Sequence, residues 1–439
     1  MKPIQVGLLG LGTVGSGTLR VLTQNSNEIT RRAGRGIQVV RACAREFDAD
    51  AIGSALDGIA ITEQPEEIVN DPDIDVVVEL FGGMEPARTL IFDAVVNCKH
   101  VVTANKALIA HYGNEIFQAA QENRVVVAFE AAVGGGIPII KALREGLVAN
   151  RIEWIAGIIN GTGNFILTEM RDKGRNFADV LADAQRLGYA EADPSFDVEG
   201  IDAAHKLAIL AAIAFGKPLQ FDKVYTEGIT GITPEDVEYA EQLGYRIKHL
   251  GVARHAQTGI ELRVHPTLIP ERQLIANVNG VMNAVLVKGN SVGPTLYYGA
   301  GAGADPTASA VIADLVDVTR VLTAAPEHRV PHLAFQPDAI WEFPILSMSE
   351  VKTAYYLRMR AADRPGVLAE VAHILGERGI SIEAVVQKEP ASGVTDVPLI
   401  MLTHRVMEGQ MNEAIREIEN LDTIRDSVTR IRVESLGEN

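Results

Sequence analysis

Short apolar runs alternate with longer amphipathic stretches through the first third of the chain. Residues 4–9 are mostly apolar and end in Gly10-Leu11-Gly12-Thr13-Val14-Gly15, after which a helical pattern continues to about Arg32. Further strand-like runs fall at 37–44, 76–80, 101–103 and 125–129, with helical patterns between them. This alternation predicts an α/β fold built on a mostly parallel, doubly wound sheet. From about Ile139 the organisation changes. A strand at 152–159 runs into Asn160-Gly161-Thr162-Gly163-Asn164 and a helix, and strand-like runs follow at 224–229, 247–253, 260–268 and 284–287. These predict a second α/β layer. Residues 298–307 form a glycine-rich turn that opens a helix to about Leu322, with Pro306 suited to its first turn.

Residues 323–350 are rich in proline and histidine, lack a helical period and read as a linker. Beyond them the order is strand, helix, two strands, helix and strand, which predicts a split βαβ sandwich. The expected domains are 1–137, completed by a helix at 306–325, then 138–305, a linker at 326–350, and a C-terminal unit at 351–439.

Composition narrows the function. The 439 residues suffice for two or three cored domains. A net charge of −17 argues against nucleic acid or an anionic membrane as a general partner. No apolar run reaches the roughly 18 residues needed to span a bilayer. Two cysteines, Cys43 and Cys98, provide no disulfide framework or metal spacing, which fits a reducing cytoplasm.

The candidate chemistry sits at strand ends and helix starts. Gly10 permits a tight turn, Gly12 lets backbone approach a pyrophosphate, and Gly15 allows close helix–strand packing, a dinucleotide-binding pattern. The helix N-terminus at Thr13 and Val14 offers N–H groups to phosphates. Arg45 stands where a 2′-phosphate partner would, favouring NADP, while Glu46 leaves NAD open. Lys106 follows a strand's carboxyl end, a ligand-binding position in open sheets, although a surface lysine opening a helix reads equally well. Glu130 and the glycine-loosened carbonyls after it could ligate a hard cation, but a hinge is the preferred reading from the residues alone. Gly161 and Thr162 could grip a carboxylate. Gly303 opens the 306–322 helix, either toward a cofactor or as a plain loop.

The densest signal is Gly188 to Lys206, GYAEADPSFDVEGIDAAHK. Asp202 and Lys206 are four apart on one helix face, with Asp202 nearer the positive end of the helix. A lysine held by an aspartate beside other carboxylates can position a small cationic substrate and move a proton, although from spacing alone a helix N-terminus decorated with solvated acids reads equally well.

Together these motifs resemble homoserine dehydrogenases of the longer bacterial form with a C-terminal ACT domain, over nearly the whole chain. The resemblance rests on the glycine loop, Thr103-Ala104-Asn105-Lys106-Ala107-Leu108, Asn160-Gly161-Thr162 and above all 188–206. It implies a Rossmann-type nucleotide-binding domain, a catalytic and dimerisation domain and a ferredoxin-like ACT domain. It further implies interconversion of L-homoserine and L-aspartate 4-semialdehyde with a nicotinamide cofactor. By the same resemblance Lys206 moves the proton, Asp202 orients it, and Lys106 reaches both cofactor and substrate. Glu191 binds the substrate amino group, while Asp197, Thr162, Gly161 and Tyr189 lie at the substrate. A structural sodium ion is implied at Glu130 and the carbonyls of Val133, Gly135 and Ile137, reversing the pure hinge reading. A homodimer or homotetramer is implied, with threonine as effector at the ACT turn Asp363–Gly366. Two rivals are weighed. Aspartate-semialdehyde dehydrogenase chemistry needs a nucleophilic cysteine, for which neither Cys43 nor Cys98 has a setting. A non-catalytic amino-acid sensor would have no need of Glu191, Asp202, Lys206 and Lys106 together.

Overall fold

A computed structural model describes residues 2–388 and 396–437. Within the C-terminal segment 351–439, residues 389–395 and 438–439 therefore lie outside the described residues. The chain forms two compact units, one of Met1–Gly161, Asp202–Val224 and Val281–Phe343, the other of Thr162–Ile201, Tyr225–Gly280 and Pro344–Asn439.

The strands in chain order begin with β1 (Ile4–Leu9), β2 (Ile37–Cys43), β3 (Ala60–Thr62), β4 (Val76–Glu79), β5 (His100–Thr103) and β6 (Val127–Ala128). Next come β7 (Ile152–Ile158), β8 (Tyr225–Thr226), β9 (Tyr245–His255), β10 (Ile260–Pro270), β11 (Met282–Gly289) and β12 (Gly293–Ala300). The series ends with β13 (Lys352–Ala362), β14 (Ile382–Gln387), β15 (Asp396–Thr403), β16 (Val406–Met407) and β17 (Thr429–Val433).

In the first unit β3-β2-β1-β4-β5-β6 form a parallel sheet, the doubly wound order expected of alternating strands and helices. Its strands are consecutive apolar residues because helices cover both faces, and Val76, Val77 and Val78 are fully buried. Helix Ala304–Val321 packs on helix Thr13–Gln24 and contributes Val311, Leu315 and Val318 to this core. β6 is one of the two edge strands, and a segment after that helix covers it. Val127 N–H donates to His332 Nε2 at 3.1 Å, the His332 ring stacks 4.9 Å from Phe117, and Arg329 donates to the Arg124 carbonyl. A capped edge resists pairing with other chains. The same unit holds β7-β11-β12 as antiparallel neighbours.

The second unit is organised by the long β9–β10 hairpin, paired from Ile260↔His255 to Pro270↔Tyr245. β10 also pairs in parallel with β8 and with β17. β17 continues into β13, β15 and β14, and helices Val367–Glu377 and Glu408–Glu419 pack on that sheet. The C-terminal unit is thus the expected β-α-β-β-α-β sandwich, with the two-residue β16 added beside β13.

Three elements differ from the expected pattern. The 224–229 run pairs only at Tyr225–Thr226, because Ile229 N–H turns away to the Val198 carbonyl. The expected glycine turn at 298–307 begins as strand, since β12 pairs with β11 up to Ala300. β3 was too short to show as a periodic run.

Candidate active site

The first unit brings three of the expected residues together at the starts of two helices. Helix Lys106–Glu122 begins beyond β5, and its first residue is fixed by a buried hydrogen-bond chain. Asn105 caps it by accepting from Leu108 N–H at 3.1 Å, and donates through Nδ2 to the Gly83 carbonyl at 2.7 Å. Thr103 Oγ1 accepts from Asn105 N–H and donates to Glu79 Oε2 at 2.6 Å. Glu79 also accepts from Phe81 and Gly82, and burial, only partly offset by these bonds, raises its pKa. The start of the helix, and with it the Lys106 backbone, is thereby fixed.

Helix Ile201–Phe215 is buried around nearly its whole circumference, so its polar residues need partners. Lys206 Nζ donates to Asp202 Oδ2 at 2.6 Å and to the Ile159 carbonyl at 2.7 Å. Lys106 Nζ lies 3.0 Å from the other oxygen, Asp202 Oδ1, and Asn160 Nδ2 donates to Oδ2 at 2.9 Å. Burial alone would push the Asp202 carboxyl up. The Lys206 and Lys106 ammoniums, with the hydrogen bonds from Lys206 and Asn160, outweigh burial and hold it well below the usual carboxylate range. One ionised carboxylate thus aligns two ammonium groups.

Behind this trio the two helices meet again. His111 and His205 approach through their Nε2 atoms at 3.3 Å, and the Phe221 ring lies 4.7 and 4.2 Å from the two imidazoles. Burial, followed by the neighbouring His111, lowers His205 to about 4, so His205 is neutral near pH 7. These histidines were missed in the sequence, although their placement five residues after Lys106 and one before Lys206 was visible there.

The cofactor motif folds as its glycines require. Gly10 has φ +106° and a side chain there would meet the Leu80 carbonyl; a Cβ on Gly15 would lie 2.0 Å from the Gly10 carbonyl oxygen. Gly12 by contrast faces open space. Beside this turn a cavity of about 400 Å³ is lined by Gly10, Gly12, Arg45, Glu46, Glu63 and Phe81, among others. Its exposed glycine backbone, helix N-terminus and flanking Arg45 suit a nucleotide. Gly303, at φ +121°, precedes helix Ala304–Val321, and Asp305 in the first turn pairs with Arg20 of the first helix.

Glu130 is buried, and its carboxylate accepts Ile140 N–H at 2.9 Å and Lys141 N–H at 2.8 Å. Its own N–H donates to Asp314 Oδ2 at 2.8 Å. Burial, then Asp314, pushes Glu130 up to about 7.

Gly161, Val133, Gly135 and Ile137 also belong to the first unit, whereas Thr162, Tyr189, Glu191 and Asp197 belong to the second. Thr162 Oγ1 donates to the Tyr189 carbonyl at 2.6 Å, and the Phe165 and Tyr189 rings meet edge to face at 5.1 Å. Gln185 holds the Glu191 carbonyl at 3.0 Å, and Asp193 accepts from Ser195 N–H and Oγ. Glu191 and Glu199 are exposed and Asp197 is half-buried, with Tyr189 and Phe196 exposed beside them. A set of carboxylates flanked by apolar side chains suits a small amino-group-bearing molecule.

A dinucleotide fold joined to paired lysines on one aspartate defines an oxidoreductase that works with a nicotinamide nucleotide. Family profiles match residues 10–130 as the homoserine dehydrogenase NAD-binding domain, 138–316 as homoserine dehydrogenase and 355–423 as an ACT domain. Homoserine dehydrogenases of Pseudomonas aeruginosa and Neisseria gonorrhoeae are 64% and 55% identical, each aligned over the full length of both chains. The crystal structure of a homoserine dehydrogenase from Thiobacillus denitrificans superposes with a TM-score of 0.95 at 68% identity, covering 100% of this chain and 99% of that one. A hyperthermophilic archaeal homoserine dehydrogenase in complex with NADPH matches 72% of this chain and 98% of its own, at 28% identity and a TM-score of 0.61. The chain belongs to the homoserine dehydrogenase family and is an oxidoreductase of that activity, which disposes of the sensor and semialdehyde-dehydrogenase readings. Among the described residues no helix is long and apolar enough to cross a membrane.

Proposed function

We propose that the chain interconverts L-homoserine and L-aspartate 4-semialdehyde with Lys206 as the proton carrier. The supporting observation is the Lys206–Asp202–Lys106 constellation, with both lysines on opposite oxygens of one buried carboxylate. When bound, the nicotinamide nucleotide supplies or accepts the hydride. In the reducing direction Lys206, as an ammonium held by Asp202 and the Ile159 carbonyl, donates its proton to the oxygen that becomes alkoxide. In the oxidising direction its neutral amine takes the hydroxyl proton from homoserine. Lys106 adds a second positive charge, and one carboxylate between two ammoniums leaves a net positive site that favours the developing alkoxide.

Glu191 takes the substrate ammonium, and Asp197, Thr162, Gly161 and Tyr189 complete the substrate contacts. The turn Gly10–Gly15 with Thr13 and Val14 holds the pyrophosphate, Gly303 borders it, and Arg45 takes a 2′-phosphate. NADP is therefore preferred, a reading supported by the NADPH carried by the archaeal relative. Glu46 and Glu63 beside Arg45 keep NAD a usable alternative.

A sodium ion would be held at Glu130 and by main-chain oxygens of Val133, Gly135 and Ile137. The Glu130 side chain is already engaged with Ile140 and Lys141. The ACT turn Asp363–Gly366 is assigned to threonine. At least a homodimer is assigned, for which the outermost strand β12, with Tyr298 58% exposed, offers an edge. A cytoplasmic setting agrees with the free thiols Cys43 and Cys98.

The test is nicotinamide reduction by the purified protein with L-homoserine, comparing NADP with NAD and wild type with Lys206→Ala. The substitution is expected to lower kcat by about a hundredfold to ten-thousandfold. Turnover near the wild-type rate would remove Lys206 from the chemistry.

A further inference from the structure

The ACT sheet is not a tethered accessory. Its strand β17 pairs directly with β10, Thr267↔Arg432 and Leu268↔Val433, and Glu434 N–H continues the ladder to the Leu268 carbonyl. Arg432, itself wholly buried, points from this seam into an ion cluster in which Glu408 is buried and Glu227 half-buried. Its Nε and Nη2 grip both oxygens of Glu408 at 2.7 and 2.6 Å, and Nη1 donates to Glu227 Oε2 at 2.8 Å. The Tyr225 hydroxyl accepts from Nη2 at 3.1 Å and donates to the same Glu227 oxygen at 2.8 Å. Arg430 lies 3.3 Å from Glu408 and 3.8 Å from Glu227, so two guanidiniums balance two carboxylates.

Glu227 follows β8, and the short segment after it is where the acid-rich stretch 188–200 comes to rest. The Glu227 carbonyl pairs with His249 Nε2 at 2.9 Å. The His249 ring packs so closely on Gly200 that a Cβ there would lie 2.9 Å from Cε1, with Thr226 Cγ2 at 3.1 Å. A Cβ on Gly228 would meet the Glu199 carboxylate at 2.5 Å and the Val198 carbonyl at 2.8 Å. Ile229 N–H closes the contact on the Val198 carbonyl at 2.9 Å. Residues 198–200 are therefore seated, without space for an added methyl, on a strap that Arg432 anchors from the other side.

Apolar side chains would hold these layers together at least as well as buried ions. A two-pronged guanidinium contributes something different, a fixed distance and angle between its partners. We infer that Arg432 and Glu227 are positioning residues through which the ACT unit sets the placement of the substrate-binding stretch that carries Glu191 and Asp197. The inference rests on the assignment of those two acids to the substrate. It gives the ACT strand a role in every turnover, with or without an effector.

The experiment uses the full chain with Glu227→Gln, Arg432→Lys, Gly228→Ala and, as reference, Glu191→Gln. KM for L-homoserine, KM for NADP, kcat and Tm are measured for each. Glu227→Gln and Gly228→Ala are expected to raise KM for homoserine about tenfold while KM for NADP stays within about twofold. Arg432→Lys keeps the charge but loses the fork and is expected to behave like Glu227→Gln. A lowered Tm with an unchanged KM for homoserine in these variants would reduce the cluster to structural support. Gly228→Ala leaves the ions in place, so it decides the matter if either ion variant fails to fold. If Glu191→Gln raises KM while the others do not, the positioning role is overturned. If Glu191→Gln itself leaves KM unchanged, the substrate assignment is what fails.

Discussion

Two charged clusters in this molecule are built on opposite principles. Around Asp202 two lysines share one carboxylate, and the Lys106 side chain keeps 34% of its surface exposed. Around Arg263, which is wholly buried, Glu261 and Glu434 face Arg263 and Arg254, two charges against two. The first cluster sets two flexible, point-charged side chains on one carboxylate. The second is neutral overall and made of guanidiniums that keep their protons. An unbalanced, partly open cluster is suited to chemistry, and a balanced, closed one to fixing geometry. Burial of charge alone does not distinguish the two; stoichiometry and residue type do.

That contrast is open to direct attack. The largest effect is expected from Asp202→Asn, which leaves two ammoniums without their carboxylate. It should lower kcat about a hundredfold or more while costing far less stability than loss of a partner in the closed cluster. Denaturant melts that show unfolding instead would place Asp202 in the structural class. Next, Arg263→Met leaves Glu261 and Glu434 to Arg254 alone and should destabilise the fold by about 3–5 kcal/mol, read from urea midpoints, with KM values of the folded fraction unchanged. Altered KM for homoserine would blur the distinction.

The smallest and most specific effect concerns acid. Burial would raise Glu434, but Arg263 and Arg254 together hold it down at about 2. A depressed carboxyl contributes stability above its unfolded value, and that contribution is lost as pH falls toward the folded value. Tm of the wild type should therefore fall between about pH 4.5 and 2, and Glu434→Gln should flatten that slope. An unchanged slope would show that Glu434 is not so held.

Much of this arrangement was legible in the sequence. The glycine turn, the i, i+4 spacing of Asp202 and Lys206 and the strand order of the ACT unit all depend on local spacing, and each appears where it was expected. Lys106 was an even choice between surface and site until β5 and the Ile201–Phe215 helix brought it to Asp202. The His111–His205 contact, the Asn160 bond to Asp202 and the Arg432 cluster were not legible. They join residues far apart in the chain, and nothing in the period of either segment encodes the partner. The shortness of β8 was hidden for a related reason, since a tertiary bond from Ile229 overrides the β-propensity of 224–229.

The β10–β17 pairing has a consequence for the order in which the molecule is made. Chains emerge from the ribosome N-terminus first, and domains close as they emerge. β1 to β5 meet within a short stretch of synthesis. β10 must wait, with the part of its edge beyond β8 unsatisfied, until the linker and almost the whole ACT unit have been translated. The nucleotide-binding sheet can mature early, while the sheet built on β9 and β10 is completed only when β17 arrives.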